Sequence, residues 1–423
     1  MFIGVKMMLI TNAPKGTEDL LPDKSYRWQY LEKHFKTVCD NFGYREIRMP
    51  TFEHTELFER GVGDTTDVVE KQMYTFNDKG GRSITLRPEG TASVARSYLQ
   101  NSIYAAPGPA KMFYNIACFR YENKQKGRLR EFHQFGVEAF GAKGPDIDAE
   151  IIALAHTFLN RVGLSDISLR INSIGCPECR NRYNEALKEF LKPKLSELCD
   201  TCKSRFDRNP SRILDCKSEI CNSLCVDAPV HLDYICDDCR EHFEGLKKAL
   251  DNLGINYTVD SGIVRGLDYY TKTVFEFVSG DFTVCGGGRY DGLVEQFGGD
   301  KTPGIGFGLG IERLLLRLDE TGVKIPVENN LDIYVAPLGD VAQPIAKKLV
   351  YDLRCQGINA ETDNMGRSLR AQMKYADKLN CKYTLVLGDT EAEEKSASVK
   401  NMETGEQTKV EFSSLAGFLK GEN

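Results

Sequence analysis

The chain has no apolar stretch long enough to cross a bilayer. Its N-terminal run, Met1 to Ile10, is interrupted by Lys6 and falls far short of the roughly 20 residues that a span requires. That run also lacks the small-residue cleavage site of an export signal, so a cytoplasmic protein with no membrane contact is expected. Met7 and Met8 precede more regular text, which makes the first six or seven residues a candidate alternative-start extension. Charge of one sign is not in excess either. With 55 Lys+Arg against 61 Asp+Glu the net charge is −6, so a nucleic acid would have to be held by local basic patches. The sequence contains neither a P-loop nor a G-x-G-x-x-G dinucleotide fingerprint, nor internal repeats or low-complexity tracts.

What is present is the composition of a globular protein: 423 residues, 41% hydrophobic and 27% charged, enough for two or three domains. Fourteen cysteines, nine of them between Cys176 and Cys239, mark a module. Without an export signal they read as reduced thiols or metal ligands rather than a disulfide framework.

Residues 14 to about 170 alternate turn signals with amphipathic segments. Trp28, Leu31, Phe35 and Val38 recur at helical spacing between Ser25 and Asn41, while "REIRMPTFE" alternates like a strand. An antiparallel or mixed α+β domain fits this better than a βαβ repeat. Residues 172–255 differ in texture, Cys-rich and helical, and look inserted because strand-like text resumes in "GLDYYTKTVFEFV" and "DFTVCGGGRYDGL". From Leu331 the pattern is strand, helix (341–355), strand, helix (367–379), strand and a hairpin turning at "METGEQ", a separate α/β domain behind the link "ETGVKIPVENN".

In "GIGFGLGIERL" the glycines Gly304, Gly306, Gly308 and Gly310 recur every second residue, on one face of a strand. Either that face packs tightly or a flat ligand or another backbone approaches it. Between Arg120 and Arg130 stand five basic residues and one acid, flanked by "MFYNIACF" and "FHQFGVEAF". This reads as two antiparallel strands joined by a basic loop. Arg120 and Glu122, and Gln134 and Glu138, sit at even spacings, so each pair points to one sheet face, a ligand-binding floor.

"FRYE" with its loop resembles the second signature motif of class II aminoacyl-tRNA synthetases, and "GIGFGLGIERL" the third. "TLRPEGTASVAR" and "RGLDYYTKTVFEF" narrow the resemblance to the histidyl-tRNA synthetase family. It covers nearly the whole chain, including "GTEDLLP" and "FGYREIRMPTFE", the latter as a dimer-interface motif ending at Pro50. The fold it implies is α+β: a class II antiparallel sheet flanked by helices, with a helical Cys-rich insertion and a C-terminal α/β anticodon-binding domain. The implied division is a catalytic domain over 1–171 and 256–325, the insertion over 172–255 and the anticodon-binding domain over 331–423.

The implied activity is ATP-dependent ligation of L-histidine to histidine tRNA through a histidyl-adenylate, with Mg²⁺, by a homodimer. In-line attack on the α-phosphate needs no protein nucleophile, only positioning and charge stabilisation. By resemblance, Arg120 grips the α-phosphate, Arg313 stacks on adenine, Glu122 holds adenine or a metal-linked water, and Arg265 is an additional catalytic cation. Glu138 and Tyr270, with Tyr269 alongside, match the positions that read the imidazole, while Glu89, Thr91 and Gln134 match those that accept the ammonium. Tyr269 alone would equally suit a core. Gln125, Arg128 and Arg130 are implied contacts of the tRNA acceptor end. Arg367, Arg370, Lys374 and Lys378 make one basic helix face in the last domain, either solvated or bound to tRNA. A histidine-sensing regulatory relative of ATP phosphoribosyltransferase would be expected to lack that domain and several of the arginines.

The pairs Cys176/Cys179, Cys199/Cys202 and Cys236/Cys239 all have C-x-x-C spacing, and two pairs suffice for a closed tetrahedral Zn²⁺ site. The expected set is Cys199, Cys202, Cys236 and Cys239, with free buried thiols as the alternative.

Overall fold

The computed structural model describes residues 11–63, 66, 68–122, 127–214, 216, 218–263, 268–327 and 331–421. The chain divides into two units, 1–325 and 326–423.

The first unit opens with helix α1 (Pro22–Asn41), whose Leu31, Phe35 and Val38 are buried. Strands β1 (Arg45–Glu46) and β2 (Phe52–His54) follow, then helix α2 (Thr55–Val62), β3 (Tyr74–Asn77), β4 (Ser83–Leu86), helix α3 (Thr91–Gln100) and the long pair β5 (Ala110–Phe119) and β6 (Glu131–Phe140). Helix α4 (Pro145–Arg161) leads to β7 (Ile167–Ser173). Helices α5 (Pro177–Leu191), α6 (Asp200–Arg208), α7 (Glu219–Leu224) and α8 (Asp237–Asn252) then intervene before β8 (Tyr257–Val259). The unit is completed by β9 (Thr271–Ser279), β10 (Phe282–Arg289), helix α9 (Leu293–Gln296), β11 (Gly304–Gly310) and helix α10 (Ile311–Glu320).

Eight strands form one sheet in the order β1-β5-β6-β11-β10-β9-β7-β8. Its inner pairs are antiparallel, and parallel pairs close both edges, β1 on β5 and β8 on β7. Alternation assigns the two faces. Phe135, Val137, Ile305, Phe307 and Leu309 point into a core with α1, α4, α8 and α10, where Phe35 stacks on Phe135 at 4.3 Å. The intervening residues of β6 and β11, Gln134, Gly136, Glu138 and the four β11 glycines, point the other way.

The expected strand over "REIRMPTFE" is instead two short strands in different sheets. Arg45 and Glu46 pair with β5, whereas Phe52–His54 pairs with β4 in a three-stranded sheet. Pro50 removes a backbone donor at the break, and the Arg87 guanidinium donates to the Met49 and Pro50 carbonyls at 2.8 and 3.0 Å.

In the second unit a five-stranded sheet runs Ala360–Thr362, Ile333–Pro337, Tyr383–Leu387, Ser396–Asn401, Gln407–Glu411, its first three strands parallel and its last two antiparallel. Ile333 and Val335 pack against helix Ala342–Cys355, while Tyr334 and Ala336 pack with Ala376 of helix Leu369–Lys378. Both sheet faces are thus covered, as parallel strands require.

Candidate active site

On the face of the large sheet opposite the main core lies a cleft of about 620 Å³, lined among others by Glu89, Thr91, Tyr114, Arg120, Glu122, Arg128, Gln134, Tyr269, Tyr270, Glu276 and Arg313. The even-numbered face of β6, the N-terminal end of α3 and the segment leading into β9 bring these residues together.

One end of the cleft is closed. Glu138 is fully buried and accepts hydrogen bonds from Thr91 Oγ1 at 2.7 Å, Tyr114 OH at 3.1 Å and Tyr290 OH. Burial nevertheless pushes its carboxyl up to about 8, the hydroxyl donors and the neighbouring Glu89 being smaller influences. Glu89, 3% exposed, accepts the Thr91 and Ala92 amides at 2.7 and 2.9 Å, the free N–H groups at the start of α3. Burial raises its carboxyl as well, and holds the Tyr114, Tyr269 and Tyr290 hydroxyls well above their ordinary range. These phenols remain protonated donors. Tyr269 packs on Tyr270 and Tyr290 at 4.7 and 5.6 Å between ring centres.

Tyr114 and Tyr290 are the functional neighbours that motif reading missed. Each fills the space over a strand glycine: a Cβ on Gly136 would stand 2.0 Å from Tyr114 Cζ, and one on Gly304 would stand 2.4 Å from Tyr290 Cε2. No local pattern signals either contact, since Gly136 meets Tyr114 through the β5–β6 register and Gly304 meets Tyr290 just past the end of β10.

The same distances decide what the β11 glycines do. A Cβ on Gly306 would fall 1.8 Å from Glu138 Oε2, and one on Gly308 2.2 Å from Gln134 Nε2. The strand is bare so that side chains from its neighbours can lie across it, not so that a ligand can rest along its whole length. Only at Gly310 is the face open, with Arg313 3.9 Å away.

The other end of the cleft is cationic and half-exposed. Arg120 lies just past the end of β5; its Nε donates to the Pro88 carbonyl at 2.8 Å and its guanidinium stands 5.3 Å from the Phe132 ring centre. Arg313, in the first turn of α10, stands 5.7 Å from the Phe282 ring centre, and its buried Nε has no partner among the described residues. Burial, then the charge of Arg128, lowers its pKa. Arg128 donates to Glu122 Oε2 at 3.2 Å. Glu312 accepts the His133 amide at 2.8 Å and so fixes α10 to β6. Arg130 is occupied by described neighbours: its guanidinium stacks 3.7 Å from the Tyr121 ring centre, and its stem covers Gly16, where a Cβ would stand 2.7 Å from Arg130 Cγ. Arg265 and Gln125 lie outside the described residues.

The cysteines converge differently from the expected set. Cys199 and Cys202 group with Cys216 and Cys221, while Cys236 and Cys239 group with Cys176 and Cys179; in each group the sulfurs lie within 4.8 Å of one another. The expectation failed because Cys216 and Cys221 have no C-x-x-C spacing, and because α5 and α8 begin side by side at the two ends of the insertion.

On the basic helix of the second unit Arg370, Lys374 and Lys378 are exposed. Arg367 instead pairs with buried Asp363 at 3.0 Å and covers the Tyr375 ring at 4.3 Å. Among the described residues no helix is long and apolar enough to cross a membrane.

A family model described as histidyl-tRNA synthetase matches residues 16–179 and 228–314, and one described as anticodon binding domain matches 332–422. The histidine–tRNA ligase of Acetivibrio thermocellus is 59% identical over 416 residues, covering 97% of this chain and all of that protein. That of Clostridium novyi is 56% identical over 403 residues, covering 95% of this chain and 97% of the other. Among solved structures, apo histidyl-tRNA synthetase of S. aureus superposes with a TM-score of 0.83 at 42% identity, over 97% of this chain and all of that one.

Proposed function

The chain belongs to the histidyl-tRNA synthetase family, and from that premise we propose how its residues divide the work. It is a class II histidine–tRNA ligase, joining L-histidine to histidine tRNA with ATP through a histidyl-adenylate and releasing AMP and diphosphate. The observation that carries the division is the polarity of the cleft, dry and fully hydrogen-bonded at Glu138, cationic and half-open at Arg120 and Arg313.

In the closed end, Glu138 and Tyr270, flanked by Tyr269, read the two imidazole nitrogens, one as acceptor and one as donor. Glu89, Thr91 and Gln134 take the ammonium. This leaves the substrate carboxylate directed towards Arg120, which holds the α-phosphate while Arg313 takes the adenine and outer phosphates and Glu122 the purine edge. Arg265 is the further cation that stabilises the pentavalent phosphorus as the carboxylate oxygen attacks and diphosphate leaves. Mg²⁺ enters with ATP. The carboxylates of Glu122 and Glu276 face the cleft, hard oxygen donors of the kind Mg²⁺ takes, and bound there it would neutralise charge between the phosphates.

Acyl transfer to the terminal ribose of tRNA follows at the same end, with Gln125 and Arg128 meeting the acceptor stem while Arg130 stays stacked on Tyr121. The last domain takes the anticodon through Arg370, Lys374 and Lys378. The chain works as a homodimer in this reading, with Phe52, 55% accessible on β2, as an exposed apolar group within the expected interface motif. The Cys-rich segment carries structural Zn²⁺ rather than a catalytic metal, since neither of its cysteine groups includes a His or carboxylate. On this reading the enzyme works in the cytoplasm, alongside its tRNA substrate.

The test is ATP–pyrophosphate exchange with a panel of amino acids, followed by charging of histidine tRNA in the same preparation. Exchange supported by histidine alone, with charging, is the expected result. Histidine binding without exchange would overturn the assignment of the arginines.

A further inference from the structure

Eight of the nine cysteines of the insertion gather into two groups of four. We propose that these groups are two structural Zn²⁺ centres, and that the one formed by Cys176, Cys179, Cys236 and Cys239 holds the Tyr269–Tyr270 segment in its histidine-binding position. The second half rests on the assignment of those tyrosines to histidine made above.

The sulfur geometry comes first. Four thiolates about 2.3 Å from a tetrahedral Zn²⁺ lie about 3.8 Å from one another. Cys176 Sγ and Cys179 Sγ are 3.5 Å apart, Cys179 Sγ and Cys239 Sγ 4.0 Å, and Cys199 Sγ and Cys216 Sγ 3.8 Å. Backbone amides point at the sulfurs, as thiolate ligands require: Cys236 N–H to Cys179 Sγ at 3.0 Å, Cys199 N–H to Cys221 Sγ at 3.4 Å, Ser218 N–H to Cys216 Sγ at 3.5 Å. Buried thiols serving only as small apolar groups have no reason to converge in fours.

Position separates the two centres. The family match omits residues 180–227. Cys199, Cys202, Cys216 and Cys221 lie inside that excursion, whereas the other four cysteines flank it and close its neck, joining the starts of α5 and α8.

From the neck the connection to the cleft is direct. Arg180, next to Cys179 and largely buried, donates through Nη1 to the Asp268 carbonyl at 3.0 Å and through Nη2 to the Tyr270 carbonyl. Ile174 N–H donates to the Lys272 carbonyl and Lys272 N–H to the Gly175 carbonyl, both at 2.8 Å. Asp238, between Cys236 and Cys239, pairs with Lys272 Nζ at 2.9 Å. Both sides of the neck therefore grip residues 268–272, which include the two tyrosines. Lys272 needs that grip, since its φ of 50° is one that a lysine rarely adopts.

Metal analysis of the full chain purified without chelator is expected to find two Zn²⁺ per chain, one for each group. Co²⁺ in their place should show the visible charge-transfer bands of tetrahedral thiolate. Cys221→Ser is expected to keep one metal and an unchanged KM for histidine in pyrophosphate exchange. Cys236→Ser should also keep one metal but raise that KM about tenfold, with the KM for ATP unchanged within about twofold. Cys236→His, which restores a ligand, should return both metal and KM towards the original. Zinc-free protein, its thiols either all reactive or oxidised to disulfides, would overturn both centres. A Cys236→Ser enzyme that lacks one metal yet keeps its histidine KM would overturn the coupling. Should that variant fail to fold, chelation of the unaltered enzyme replaces it, and an unchanged ratio of histidine to ATP KM after metal loss overturns the coupling equally. An enzyme with two metals and no exchange with any amino acid would refute the catalytic reading and leave the centres standing.

Discussion

The two ends of the cleft are built on opposite principles. At the Glu138 end both carboxylate oxygens already have hydroxyl donors, the surrounding phenols are buried, and glycines are spent on making room for neighbours. At the Arg120 and Arg313 end the guanidiniums lean on phenylalanine rings, and one buried N–H is unpaired among the described residues. The first end is hydrogen-bonded before any ligand arrives, so a ligand that displaces those bonds without replacing them leaves buried polar groups unmatched and is rejected sharply. The second has surplus cation that only an anion completes, which suits groups whose charge changes during reaction.

The contrast is broken most severely at its dry end. Glu138→Gln is nearly isosteric but swaps an acceptor oxygen for a donor, so kcat/KM for histidine in pyrophosphate exchange should fall roughly 10⁴-fold; a loss under tenfold would mean that another group reads the imidazole. Next in size is Arg120→Ala, expected to lower kcat of exchange by about 10²- to 10³-fold with histidine affinity, measured by calorimetry, unchanged. Arg265→His should behave alike, depressing adenylate formation far more than histidine binding, and equal losses in both would remove it from the transition state.

A smaller effect tests the raised carboxyl. With Glu138 titrating near 8 in the free protein against about 4.5 when unfolded, the native state holds a proton that the unfolded chain has lost throughout the interval between them. Stability should therefore fall as pH rises from about 4.5 to 8, and Glu138→Gln should flatten that decline in thermal melts. Histidine binding through the carboxylate at pH 7 should also release close to one proton to the buffer, detectable by calorimetry in buffers of different ionisation heat. Smallest of all, Arg128→Ala should leave exchange within about twofold while weakening tRNA charging. Replacing Arg370, Lys374 or Lys378 singly by alanine should reduce the salt slope of tRNA binding by about one for each phosphate that the side chain neutralises.

Much of this contrast could be read from the sequence, and the parts that could not share a cause. Period-two alternation placed Gln134 and Glu138 on one face and the four β11 glycines on one strand. It gave no account of what fills a glycine's space, so Tyr114 and Tyr290, which lie far from Glu138 along the chain, were invisible. The three C-x-x-C pairs turn out to open α5, α6 and α8, and their spacing alone misjudged which of them are partners. Which helix start faces which is decided by the topology of the insertion, and no local pattern carries that. The strand expected across Pro50 failed for a similar reason, since the two halves of "REIRMPTFE" belong to different sheets.

Strands β7 and β8 pair side by side in parallel, with Leu169 opposite Tyr257. Two parallel neighbours cannot be joined by a tight turn, so some crossing segment has to exist whatever else the molecule does. Helix α8, packed into the core through Phe243, Leu246 and Leu250, supplies that crossing, and the cysteine module is a detour taken on the way to it. Length along the detour is therefore free to change over evolutionary time without disturbing strand order, and a protein engineer could shorten it or graft another small domain there, provided the neck and the return helix stay.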